Sequence, residues 1–112
     1  MKLFGTDGIR GIAGSFLTPE LAVKLGRILA ERIHEMGVEE PFVLTGRDTR
    51  HSGTMLSMGI ATGLMAGGVD CVNLSVIPTP GVAYLVRHYG AALGIVISAS
   101  HNPYEYNGIK IF

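Results

Sequence analysis

At 112 residues, with 47% hydrophobic and 16% charged side chains, the chain is long enough for one small globular core and too short for two, and its composition excludes a disordered segment. Nine basic and nine acidic side chains cancel, which excludes a global field that would draw the molecule onto nucleic acid or a membrane surface, so any electrostatic function must be local. The single cysteine, Cys71, excludes an internal disulfide and fits a reducing, cytoplasmic compartment, while MKLFGTDGIRG lacks the apolar stretch of a signal peptide and no segment approaches the ~20 apolar residues that cross a bilayer.

In chain order, FGTDGIRG at 4–11 reads as a glycine-rich loop holding one cation, Arg10. Thr18, Pro19 and Glu20 then make a helix start: an N-cap hydroxyl, a proline at the first helical position and an acid at the positive end of the dipole. Leu21, Leu25, Ile28, Leu29, Ile33 and Met36 fall on one stripe, and Gly37 supplies the stop. PFVLTGRD is a short apolar run that becomes polar, as a strand entering a loop does. A second helix is predicted over 52–65, with Met55, Met58, Leu64 and Met65 available for packing, although Gly59 and Gly63 each disfavour it by about 1 kcal/mol relative to alanine. VDCVNLSV reads as a strand, TPGVAYLVRHYG as a short helix whose entry turn is shaped by Pro78 and Pro80, LGIVISAS as a third strand and NGIKIF as a fourth.

Strands separated by helices of this length predict an α/β fold, because parallel neighbours need a crossover. In such sheets ligands bind beyond the carboxyl ends of the strands. Three polar bursts fall there: residues 46–52, 78–80 and 98–102. Arg47 and Arg50 lie in the first, with Asp48 between them and Gly46 and Gly53 allowing the backbone to approach a ligand. An arginine pair suits fork-shaped recognition of phosphate or carboxylate, and Asp48 could equally pair with one arginine simply to fix the loop.

Ser100 stands among small neighbours, where it could cap the loop or act as a nucleophile. His101, adjacent in sequence, is poorly placed to be its base, because neighbours along an extended chain point in opposite directions. SASHN is not the G-x-S-x-G of a hydrolase elbow, and neither a Walker A nor a G-x-G-x-x-G pattern occurs. A serine that carries a phosphoryl group needs access and cations around it, which Asn102, Lys110 and the arginine loops could supply. Strand alternation could instead turn Lys110 to solvent. Cys71, Met55, Met58 and Met65 are assigned to core packing, and His34 and His88 lack partners at metal-ligand spacing.

Taken together, FGTDGIRG (4–11), GRDTRHSG (46–53), PTP (78–80), ISASHNP (97–103) and NGIK (107–110) resemble the α-D-phosphohexomutase superfamily, in this order and from end to end. The wording of the first and fourth is similar to the branch that acts on glucosamine phosphates. The resemblance implies a three-layer α/β/α sandwich with a mixed, mostly parallel four-stranded sheet whose one antiparallel strand is 107–112. It implies that residues 1–112 are the first, phosphoserine-bearing domain of a four-domain enzyme, with the later domains absent. The implied reaction interconverts glucosamine 6-phosphate and glucosamine 1-phosphate through a phosphoserine and a 1,6-bisphosphate.

On this resemblance Ser100 carries the phosphoryl group and offers one oxygen to a magnesium ion held mostly by an absent domain. Arg10 and Lys110 handle charge or protons beside it, His101 supports the same loop, and Arg47, Arg50 and Asn102 are candidates for phosphate contact. A hexose 1,6-bisphosphate is the expected activator. The expected partners are a phosphosugar and the enzyme's other domains, with no nucleic acid and no membrane, in the cytoplasm. Residues 1–112 alone are expected not to turn over substrate. The alternatives are a phosphomannomutase or phosphoglucomutase, a phosphosugar-binding module without covalent chemistry, and a protein-interaction domain.

Overall fold

The structure, a computed structural model, describes residues 9–12, 17–98 and 106–112, with backbone alone at 9–12, 51 and 106–108. Five strands and three helices follow one another as β1 (Ile9–Ile12), α1 (Pro19–Glu35), β2 (Phe42–Arg47), α2 (His51–Ala66), β3 (Asp70–Val76), α3 (Thr79–Tyr89), β4 (Leu93–Ile97) and β5 (Tyr106–Ile111). They build one sheet of order β1-β5-β4-β2-β3. β2 is parallel to both β3 and β4, while β5 is antiparallel to β4 and β1 antiparallel to β5. Four strands therefore share a direction and β5 alone opposes them. The expected α/β class and antiparallel last strand are present, and the sheet has a fifth strand: Ile9–Ile12, read as part of a loop, pairs with β5.

The helix ends follow their sequence signals. Thr18 Oγ1 accepts the Leu21 N–H at 3.1 Å, Pro19 occupies the first turn, and Gly37 leaves α1 at φ 72°. Alternation along the strands divides the core. Val43, Ile95, Ile97 and Ile109 form one cluster with Leu25, Leu29 and Ile33 of α1 and Leu56, Ile60 and Leu64 of α2. The opposite face of β2 and β4 carries Gly46 and Gly94, where a Cβ would stand 2.6 Å from Val82 Cγ2 and 2.5 Å from Val86 Cγ2 of α3, respectively. Two helices thus cover one face and α3 the other, giving the three layers, and the two glycines let α3 sit directly on the sheet.

α1 and α2 meet along a seam of small residues. Gly59 and Gly63 of α2 and Gly67 at its C-cap, four apart, face Ala22, Gly26 and Ala30, four apart on α1. The glycines that weaken α2 as an isolated helix are what allows its backbone to approach α1. This seam also corrects the expectation for the methionines. Leu56, Ile60 and Leu64 face the sheet, so Met58 and Met65 fall on the outer surface, 63% and 57% exposed, and Met36 is likewise exposed. Met55 and Cys71 do pack against the core. Among the described residues no helix is long and apolar enough to cross a membrane.

Candidate active site

Arg47 ends β2, and its backbone ties together the exits of the three parallel strands. It pairs with Ile97 at the end of β4 and, beyond a register shift, with Val76 at the end of β3. The Asp48 N–H donates to Ile97 O, and the Ile77 N–H donates to Arg47 O, both at 3.1 Å. The shift is made by Ser75, held at φ 60° with its N–H donating to Asn73 Oδ1 at 2.8 Å. The loops after β2 and β3 and the start of the loop after β4 therefore share one rim.

Both following helices begin at that rim. α2 starts after Arg50 and α3 after Pro78, neither with a side-chain cap, so their positive ends add to the local field. Pro78 and Pro80 bracket the first residue of α3, as expected of residues that shape the turn.

Asp48 fixes the first loop. Its Oδ1 accepts the Arg50 N–H at 3.1 Å, and its Oδ2 lies 3.6 Å from Arg50 Nε. The two side chains are 30% and 12% exposed, so this pair is better sheltered from solvent than an ordinary surface ion pair. Arg47 has a different environment. It donates from Nη1 to the neutral Asp48 carbonyl at 3.3 Å, and among the described residues its buried Nε has no hydrogen-bond partner and no carboxylate lies within ion-pair distance of it.

Gly53, in the first turn of α2, lies against this arginine: a Cβ there would stand 3.1 Å from Arg47 Cδ. The two glycines of GRDTRHSG thus admit protein neighbours, Gly46 admitting Ile77 and Val82 and Gly53 the Arg47 stem, where sequence alone suggested room for a ligand.

The register extends the rim to the other side of the sheet. Ile9, Ile109, Ile97 and Arg47 form one row across β1, β5, β4 and β2. Arg10, paired with Gly108, lies one residue beyond that row in the direction of the strand exits, and Lys110, paired with Val96, one residue before it. Lys110 is half-buried rather than fully solvated. Ser98, half-buried, is the last described residue after β4. Ser100, His101 and Asn102 lie outside the described residues, as does the side chain of Arg10.

Among the described residues no group of three His, Cys, Asp or Glu side chains could hold a metal ion, so they do not make up a magnesium site. His34 instead contacts Gly67 O through Nε2 at 2.6 Å, and His88 stacks on Tyr84. Grooves along α1, lined by Lys24, Arg27, Glu31, His34 and Gly67 among others, contain none of the candidate residues. The roles of Gly53 and Gly63 were not legible in the sequence, because each depends on which residue of another segment lies opposite.

Over residues 1–112 the chain matches the model of the family described as phosphoglucomutase/phosphomannomutase, alpha/beta/alpha domain I. It is 59% identical over 111 residues to a phosphoglucosamine mutase of Alkaliphilus metalliredigens, covering 99% of this chain and 25% of the relative. It is 57% identical over 116 residues to that of Staphylococcus haemolyticus, covering 100% and 25%. Among solved structures it is similar to a phosphoglucomutase/phosphomannomutase family protein of Burkholderia thailandensis, with TM-score 0.84 and 35% identity over 97% of this chain and 25% of the other. A putative phosphomannomutase of Thermus thermophilus gives TM-score 0.86 and 32% identity over 96% and 24%. The chain spans about a quarter of the length of the curated relatives it matches.

Proposed function

The chain belongs to the phosphoglucomutase/phosphomannomutase family through its α/β/α domain I, and on that premise we propose that it is the phosphoserine-bearing part of a phosphoglucosamine mutase. The reaction interconverts glucosamine 6-phosphate and glucosamine 1-phosphate. A free sugar hydroxyl attacks the phosphorus on Ser100, the new bond to the sugar oxygen forms as the bond to Ser100 Oγ breaks, and the hydroxyl proton ends on the freed Ser100 Oγ, to be given back to the sugar oxygen in the return transfer. The resulting 1,6-bisphosphate turns round. Ser100 Oγ then attacks the opposite phosphate, which returns to the serine and frees the other hydroxyl.

Arg10 and Lys110 offset charge on the transferring group, and Lys110 is a candidate for moving the hydroxyl proton. His101 holds the serine loop and Asn102 donates to phosphate oxygen. Magnesium, when bound, would neutralise phosphoryl charge; Ser100 would offer it one oxygen, and the described residues supply no cluster of further ligands. A hexose 1,6-bisphosphate primes the serine. The lone, half-buried Cys71 suits a cytoplasmic setting.

The observation that carries this reading is the identity, over nearly the whole chain, to relatives named phosphoglucosamine mutase. The rim, which gathers the strand exits, two helix N-termini and the backbone positions of Arg10, Arg47 and Lys110, supports it. The test incubates the longer mutase polypeptide with glucosamine 1,6-bisphosphate and maps the added phosphate by mass spectrometry. Phosphate on Ser100, lost in Ser100→Ala, is expected; an unmodified Ser100, or a longer mutase that stays active as Ser100→Ala, would overturn it. Because the solved neighbours are phosphomannomutase-family proteins, mannose and glucose 1-phosphates are the second reading. Comparing kcat/KM among the three sugars decides it.

A further inference from the structure

The two arginines of GRDTRHSG occupy different chemical situations. Arg50 already has its countercharge: Asp48 takes both its backbone N–H and its Nε side, and Arg50 engages a further partner. Such a sheltered, compensated cation gains little from a second anion and loses its present contacts if it turns toward one.

Arg47 is the opposite case. It is half-buried, a neutral carbonyl accepts from its Nη1 at 3.3 Å, and among the described residues its buried Nε has no hydrogen-bond partner. A buried guanidinium N–H that lacks an acceptor is costly, and an incoming anion can supply one. Its stem is fixed from two sides. The backbone is pinned to Ile97 and Ile77 through the strand exits, and the aliphatic part lies against Gly53, where any larger residue would press on Cδ.

Resting on the proposed mutase reading, we propose a division of labour in which Arg47 binds a phosphate monoester at the rim while Asp48, Arg50 and Gly53 are positioning residues that hold it there. The phosphate belongs either to the sugar or to phosphorylated Ser100, and both present the same oxygens to the guanidinium.

The test uses the longer mutase polypeptide, with melting temperature recorded for every variant. Arg47→Lys and Arg47→Gln are expected to fold, melting within a few degrees of the parent. If the sugar phosphate is the ligand, they raise the KM for glucosamine 1-phosphate and the inhibition constant of inorganic phosphate by roughly tenfold or more. If phosphoserine is the ligand, KM is kept and hydrolysis of the phosphate from Ser100 changes by a similar factor.

Arg50→Lys and Asp48→Ala are expected to lower the melting temperature, and Asp48→Asn, which retains the acceptor for the Arg50 N–H, to recover part of the loss. Gly53→Ala is expected to reproduce the Arg47 signature in weaker form. Phosphate binding and phosphoserine turnover both unchanged in the Arg47 variants would overturn the proposal, and so would Arg50→Lys weakening phosphate binding as much as Arg47→Lys. Failure of the mutase reading itself would be recognised separately, as activity surviving Ser100→Ala.

Discussion

Gly63 of α2 lies directly against the backbone of Val23 in α1: a Cβ at position 63 would overlap the Val23 carbonyl oxygen and stand 2.8 Å from the Arg27 nitrogen. These obstacles are main-chain atoms in the middle of a helix and cannot rotate away. Helix propensity alone says that alanine at 63 stabilises by about 1 kcal/mol. Contact with α1 says that the helices must separate along a seam they share with the core, at a cost of about 1–3 kcal/mol or more. We expect the second effect to dominate, so Gly63→Ala lowers the unfolding free energy in a urea titration, and a gain in stability would refute the seam.

The start of α1 offers a milder perturbation. Thr18 Oγ1 caps the Leu21 N–H at the edge of the buried cluster. Thr18→Ala should cost about 1 kcal/mol and Thr18→Ser much less, read as shifts in the denaturation midpoint at constant slope.

His34 closes the far end of α2 from the neighbouring helix. A hydrogen bond from Nε2 to Gly67 O requires the proton on Nε2, because the carbonyl can only accept. NMR of the ring nitrogens should find the Nε2–H tautomer in the neutral form. His34→Ala should destabilise by about 0.5–1 kcal/mol, since the contact is exposed and water can replace it.

Cys71 gives a pH dependence with a fixed sign. Burial pushes its thiol above the ordinary value of 9.0, only partly offset by the Thr45 hydroxyl beside it. Among the described residues Thr45 Oγ1 has no partner in good geometry, so this contact is a poorly aligned one and burial dominates. The native state therefore holds its proton to higher pH than the unfolded chain does. The associated stability is complete below about pH 9.0 and declines as pH rises from there through the folded-state value. Thiol alkylation at pH 8 should be slower than for an unfolded control. Equal rates would show the thiol to be unperturbed.

Much of the scaffold was legible because its determinants are local. The Thr18-Pro19-Glu20 start, the Gly37 stop, the proline-framed entry to α3 and the apolar runs of β2 and β4 each need only their own neighbours. β1 was not legible: four residues among glycines become a strand only when β5 is alongside to pair with them. Met58 and Met65 misled for a similar reason. Hydrophobicity marks them for the core, but glycines 59, 63 and 67 set the packing face of α2, and only the presence of α1 reveals it.

At the candidate site the sequence by itself determined which chemical groups are present and that three polar segments follow three strands, because strand direction and chain order suffice for that. Only the tertiary structure decided that Arg47 and Arg50 have unequal partners and that Gly53 makes room for an arginine. Charge compensation and close approach depend on distances between segments far apart in the chain, and no local pattern of residues encodes those distances.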